Sequence, residues 1–179
     1  MMFISLIQKR RSIRKYVQKK VEPEKIDRLV EAAVRAPSSM GSNPWEFIVV
    51  EDQDMLAQLS QAKQHGSSFV KGAALAFVIC ADPEKSQVWV EDAAIATIFI
   101  QLAAESMGLG SCWVQIRKRM HDETKTAEEY ISDLLNIPEG KRVVSMMAVG
   151  YPDEEKAPHG EASLQYEKVH LGSYGRPYK

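Results

Sequence analysis

Cysteine is scarce in this chain: Cys80 and Cys112 are the only two in 179 residues. They form no disulfide framework and no CxxC pair, which excludes a disulfide-stapled scaffold and a thioredoxin-type motif. Two buried thiols in a reducing compartment are expected. Long apolar runs are missing as well. The longest, Ala93 to Ala104, is interrupted by Thr97 and Gln101, short of the roughly 18–20 residues that span a bilayer. Met1–Ile7 is short and its positive charge follows it, the reverse of a secretory signal. A cytoplasmic protein without membrane contact is expected. Charge of neither sign dominates, with 23 Lys+Arg against 24 Asp+Glu, which argues against a general polyanion binder. No Walker loop, GxSxG elbow or Rossmann GxGxxG is present. His65, His121, His159 and His170 show no metal-ligand spacing, so no metal is expected. The acid pairs Glu91-Asp92 and Glu128-Glu129 read as solvated helix faces rather than a catalytic dyad.

What the chain does have is cations in one place. From Lys9 to Lys20 there are seven basic residues before the first carboxylate, Glu22. A near-neutral chain that concentrates its cations holds an anion there. Arg10, Arg11 and Arg14 can make forked hydrogen bonds to phosphate, and Ser12 adds a hydroxyl. A solvated helix end and a nucleic-acid arm are the competing readings. The second finds only Arg117-Lys118-Arg119 as further support and lacks an aromatic platform.

Helix and strand signals alternate along a single domain, 1–179, which means α/β or α+β. Phe3, Ile4, Leu6 and Ile7 predict a short helix ending near the basic cluster. Glu22-Pro23 opens a second helix, with proline in the tolerated first turn, and it stops before Pro37. Residues 36–44 are a loop by composition. Trp45–Val50 reads as a strand, and Gln53 to Gln64 as a polar helix. Ala73 to Cys80 fits a strand buried on both faces. The stretch Val88 to Met107 is apolar around its circumference, which predicts a helix buried centrally or against another chain, closed by Gly108-Leu109-Gly110. Ser111–Ile116 is a third strand, Thr126–Glu129 a capping box that starts a helix, and Arg142–Gly150 a fourth strand. Residues 153–179 form an arm with spaced apolar anchors.

Four motifs occur in order: Arg10-Arg11-Ser12-Ile13-Arg14; Ala36-Pro37-Ser38-Ser39 followed by Asn43-Pro44-Trp45; Gly108-Leu109-Gly110-Ser111-Cys112-Trp113; and Val149-Gly150-Tyr151-Pro152. Together they resemble the nitroreductase family of FMN-dependent oxidoreductases over nearly the whole chain. The resemblance implies an α+β fold in three layers, with a central, mainly antiparallel sheet flanked by helices. It also implies an intertwined, domain-swapped-type homodimer with FMN at the subunit interface.

By that similarity, Arg10, Arg11, Ser12 and Arg14 hold the FMN phosphate and the polar edge of the flavin. Pro37, Ser38 and Ser39 come from the partner subunit and line the ring. Asn43, where the family more often has Gln, contacts the ribityl chain or ring. The backbone amides of Gln115 and Ile116 face the reactive nitrogen edge, with Gln115-Ile116-Arg117 bulkier than usual there. Lys156 loosely fits a phosphate-gripping lysine, while His159 stands where an arginine is common. The arm 153–179 lies on the partner subunit. The implied activity takes hydride from NADH or NADPH and passes electrons to a nitroaromatic, quinone or similar flat acceptor by ping-pong turnover. The flavin carries the chemistry, so no catalytic side chain is needed. The alternatives are an FMN-binding or storage protein without turnover, and a flavin-dependent dehalogenase-like relative.

Overall fold

Apolar residues at helical spacing, alternating with strand-length apolar runs, produce nine regular elements in the computed structural model, which describes residues 2–179. They are α1 (Phe3–Lys9), α2 (Pro23–Val34), β1 (Trp45–Val50), α3 (Gln53–Leu59), β2 (Leu75–Ala81), α4 (Trp89–Ser106), β3 (Gly110–Gln115), α5 (Ala127–Leu135) and β4 (Arg142–Gly150). The four strands form one sheet in the order β1-β2-β4-β3, antiparallel at every step. Every residue of β2 is buried, because helices cover both of its faces. Leu29, Ala33 and Ile100 of α2 and α4 pack with Phe77 and Met147 on one side. Leu56, Leu59 and Ile131 of α3 and α5 pack with Val78 and Met146 on the other. The result is the expected three layers. Among the described residues, no helix is long and apolar enough to cross a membrane.

Local signals explain the boundaries. Asp52 caps α3 by accepting from the Met55 amide at 2.8 Å, and Thr126 and Glu129 form the reciprocal capping box on α5. α3 ends at Leu59 rather than near Gln64. The Ser60 hydroxyl turns back to the Ala57 carbonyl, and the Ser67 hydroxyl donates to the Ser60 carbonyl, so hydroxyls and turns take over from the helix there. α4 ends in a Schellman motif: the Leu109 amide reaches the Ala104 carbonyl at 2.9 Å and the Gly108 amide reaches Glu105 at 3.2 Å. Gly108 carries the positive φ of 74° that this closure requires. Both cysteines are buried and free, as expected, and burial pushes the Cys80 thiol up to about 12.

α4 is not buried all round. Ile95, Ile98 and Phe99 are 40%, 43% and 38% exposed on the outer side of the helix. Three large apolar side chains at helical spacing make a stripe of the kind a partner helix covers.

The segment after α1 is sewn to the sheet edge. Ser12 bridges Ser111 in parallel fashion, and the Ile13 amide donates to the Ser111 carbonyl at 3.0 Å. The Tyr16 hydroxyl is buried and donates to the Ile13 carbonyl at 2.6 Å. This close approach explains Gly110, which sequence reading assigned only to helix closure. A Cβ there would meet Ile13 at 2.8 Å. Gly110→Ala should therefore push the basic segment off β3 and destabilise the fold by about 1–3 kcal/mol. Urea unfolding measures this, and an unchanged midpoint would contradict the packing account.

Candidate functional site

The basic cluster lies in this sewn segment, at the C-terminal end of α4. Lys9, Arg11 and Ile13 line a cavity of about 240 Å³ together with Glu105, Gly108–Gly110, Pro152, Glu154 and Lys156. Of these, Lys9 ends α1, while Arg11 and Ile13 alternate along the extended chain that follows. Arg10, Ser12 and Arg14 are not among the residues lining it. The Arg14 guanidinium stands over the Phe69 ring, 5.7 Å from its centre. Among the described residues, neither Arg10 nor Arg14 forms an ion pair with a carboxylate. Two unpaired guanidiniums flanking a serine in sequence are a donor set suited to a dianionic phosphate. Arg11 is already engaged with the Ala157 carbonyl.

The start of the C-terminal arm sits on this same chain. The Asp153 amide donates to the Lys15 carbonyl at 2.9 Å. The Glu154 carboxylate accepts from the amides of Arg14 at 2.5 Å and Lys15 at 3.2 Å. Lys156 donates to the Ser12 carbonyl at 2.8 Å and pairs with Glu154 at 3.2 Å. The expectation that the arm from 153 onward lies on a partner is thus corrected for residues 153–157. They clamp the chain's own basic segment, because a carboxylate is the natural acceptor for two neighbouring backbone amides. His159 is exposed and borders a different, wider cleft, with Ile4, Ile7 and Tyr166. Farther out, Leu164, Val169, Leu171, Tyr174 and Tyr178 are exposed.

The loop carrying Pro37, Ser38, Ser39 and Asn43 is at the other end of α4. The Ser38 hydroxyl donates to Asn43 Oδ1 at 2.7 Å and accepts from the Asn43 amide at 2.9 Å. The Ser39 amide donates to Asp92 Oδ1 at 2.8 Å. Asp92 is 2% exposed and also accepts from the Ser86 hydroxyl at 2.8 Å. The reading of Glu91-Asp92 as a solvated face is therefore corrected at Asp92. Glu128 is likewise engaged: it holds the Arg142 guanidinium and accepts from the Val143 amide at 3.1 Å. Trp45 Nε1, just after the loop, is buried without a hydrogen-bond partner.

At the far end of β3, Trp113 Nε1 donates to Gln115 Oε1 at 3.0 Å, and Gln115 Nε2 donates to the Arg117 carbonyl at 2.9 Å. Ile116 is fully buried and its amide donates to the Val144 carbonyl at 3.3 Å. The expectation of an amide at Ile116 available to a ligand is corrected, because β4 supplies its acceptor. Gln115 is partly exposed.

The structure therefore gathers Arg10, Ser12, Arg14 and Lys156 at one end of α4 and Pro37, Ser38, Ser39 and Asn43 at the other. It does not bring the two groups together within one chain. Sequence reasoning missed Asp92 and Glu154 as parts of this arrangement. Glu154 carries a weak sequence signal, since it closely follows the Gly150-Tyr151-Pro152 turn.

This is the architecture of a known class. Residues 7–151 match the profile of the nitroreductase family, and the chain belongs to that family. An FMN-dependent nitroreductase from Clostridium difficile R20291 superposes with a TM-score of 0.94 at 48% identity, over 96% of this chain and 99% of that one. An Archaeoglobus fulgidus protein, named as a candidate NADH dehydrogenase/NAD(P)H nitroreductase, is 40% identical over 86% of this chain and 87% of its own. An iodotyrosine deiodinase from Thermotoga neapolitana is 24% identical over 92% of this chain and 97% of its own.

The Glu154 clamp makes the basic segment sensitive to pH. The Arg14 amide, and then Lys156, hold the Glu154 carboxyl below its ordinary range. A depressed carboxylate stabilises above its unfolded pKa, and that contribution fades as pH falls toward the folded value. Glu154→Gln should lower Tm at pH 7, and the deficit should shrink below about pH 4.3. Thermal melts from pH 7 to pH 3 test this, and a deficit that stays constant would contradict the clamp.

Proposed function

We propose that two copies of this chain form FMN-dependent oxidoreductase sites that take hydride from NADH or NADPH and reduce a flat acceptor such as a nitroaromatic or quinone. The cofactor and donor class follow from family membership and from the activities named for the relatives. The two-chain site rests on one observation, the separation of its two halves along α4. Asp92 in the first turn and Glu105 in the last turn bracket that distance, ~20 Å at about 1.5 Å per residue. Two α4 helices packed antiparallel through Ile95, Ile98 and Phe99 carry the 37–43 loop of one chain toward the basic segment of the other. A two-fold axis then makes two equal sites.

The residues fit the cofactor. Arg10 and Arg14 offer forked donors to the phosphate, and Ser12 adds a hydroxyl. Lys156, paired with Glu154, fixes the Ser12 backbone between them. Arg11, engaged with Ala157, tethers the arm rather than reaching across. Pro37, Ser38 and Ser39 form a wall of small side chains against which a planar ring can lie. Asn43, held by Ser38, keeps its amide nitrogen for a ligand oxygen. Gln115, locked between Trp113 and Arg117, presents the β3 edge to the ring. FMN, when bound, supplies the two-electron chemistry. The protein's contribution is to hold it, exclude water from one face and leave the other face open for donor and acceptor in turn. A cytoplasmic location accords with this use of soluble nicotinamide donors.

Three outcomes test the reading. The purified protein should be yellow and bleach anaerobically with NADH or NADPH; bound FMN that neither donor reduces would instead favour a storage role. The double variant Arg10→Ala, Arg14→Ala should lose FMN affinity at least tenfold, since each charge-assisted contact contributes about 1.5–3 kcal/mol; unchanged retention in a fluorescence titration removes these residues from the site. Ile98→Asp should give a folded monomer by sedimentation with FMN binding lost; a persistent dimer contradicts the α4 interface.

A further inference from the structure

Among the described residues, the Asp92 side chain is the only group outside 36–44 that hydrogen-bonds to any of residues 38–43. The other bonds of that stretch are internal: Ser38 with Asn43, the Gly41 amide to the Ser38 carbonyl at 3.1 Å, and the Ser42 amide to the Ser39 carbonyl at 3.0 Å. The loop has reason to wander. Met40, Gly41 and Asn43 all take positive φ, at 52°, 65° and 45°, and Met40 is fully exposed. Non-glycine residues in that region need outside support.

Asp92 is itself fixed from behind. Its second oxygen accepts from the Ser86 hydroxyl at 2.8 Å, and the Ser86 oxygen accepts from the Val88 amide at 3.2 Å. The carboxylate stands in the first turn of α4, where the helix dipole favours negative charge. A buried acceptor whose two oxygens each hold a 2.8 Å bond is a fixed point.

We infer that Asp92 is a positioning residue for the flavin site of the partner subunit, acting through the Ser39 amide on the Pro37-Ser38-Ser39 wall. This rests on the proposed FMN site. α4 thereby does two jobs: its outer stripe sets where the partner chain lies, and its first turn sets where the wall facing that partner's ligand lies. A shift of the Ser39 backbone would move the wall relative to a ring held by the other chain's guanidiniums.

The test compares Asp92→Ala and Asp92→Asn with the parent in two measurements. The first is amide hydrogen exchange of residues 38–43 in the FMN-free protein. The second is FMN affinity by fluorescence titration. Asp92→Ala should speed Ser39 amide exchange at least tenfold while amides 100–104 of α4 keep their rates. It should also weaken FMN at least tenfold. Asp92→Asn keeps an oxygen for the Ser39 amide and should recover most of both losses; if Asp92→Ala fails to fold, Asp92→Asn alone should show FMN affinity within threefold of the parent with Ser39 protected.

Unchanged Ser39 exchange overturns the inference. So does loosening spread evenly over α4, which marks a purely structural acid, and so does normal FMN affinity with a freed loop. The exchange measurement needs no flavin. A parent protein that ignores FMN therefore defeats the proposed site while leaving the Asp92 brace separately measurable.

Discussion

The length of α4 governs what this molecule can do. The helix separates a cationic, sheet-edge segment at one end from a small-residue loop at the other, by ~20 Å between its first and last turns. A single chain therefore does not bring the two groups of candidate site residues together. The exposed stripe of Ile95, Ile98 and Phe99 lies on the same helix. One element thus carries the separation and, in the proposed assembly, the surface that overcomes it. In the proposed two-chain site, function would depend on the symmetry of assembly rather than on any one cleft.

Each group is held by a carboxylate. Glu154 gathers the amides of Arg14 and Lys15, and Asp92 gathers the Ser39 amide and the Ser86 hydroxyl. These acids hold the backbone in place and pair with neither Arg10 nor Arg14. Among the described residues Arg10 and Arg14 are unpaired, whereas Lys19 of the basic run and Lys25 of α2 pair with Glu22, and both lie over the Tyr151 ring. The Tyr151 hydroxyl, together with Lys19, brings the Glu22 carboxyl down to about 2. The cationic run thus contains a paired part at Lys19, a tethered Arg11, and Arg10 and Arg14 without a carboxylate partner. That division argues against a continuous nucleic-acid-binding arm, which needs its cations exposed along a strip.

The sheet and most helix ends were legible because local chemistry decided them. β1 and β4 match their predicted ranges, as does the capping box at Thr126 and Glu129, and β2 was recognisable as a strand with two buried faces. The α3 end was not legible, since Ser60 and Ser67 close it through contacts that periodicity does not encode. In the candidate site, the residue types of the motifs could be read, but not their partners. Arg11 looked equivalent to Arg10 and Arg14 until its contact with the Ala157 carbonyl set it apart. Asp92 looked solvated because burial depends on a loop folding over it. Ile116 looked available because strand pairing with Val144 is a long-range fact.

The account stands or falls on whether the two halves come from different chains, and complementation measures that directly. One variant carries Arg10→Ala and Arg14→Ala; another carries Ser38→Trp and Ser39→Trp, which fill the loop wall. Each alone should fail to hold FMN. Unfolded, mixed and refolded together, they should regain roughly a quarter of the flavin sites, because half the dimers are mixed and each mixed dimer keeps one intact site. Flavin content after gel filtration reads this number. No recovery in the mixture, with mixed dimers demonstrably formed, would contradict a site shared between two chains.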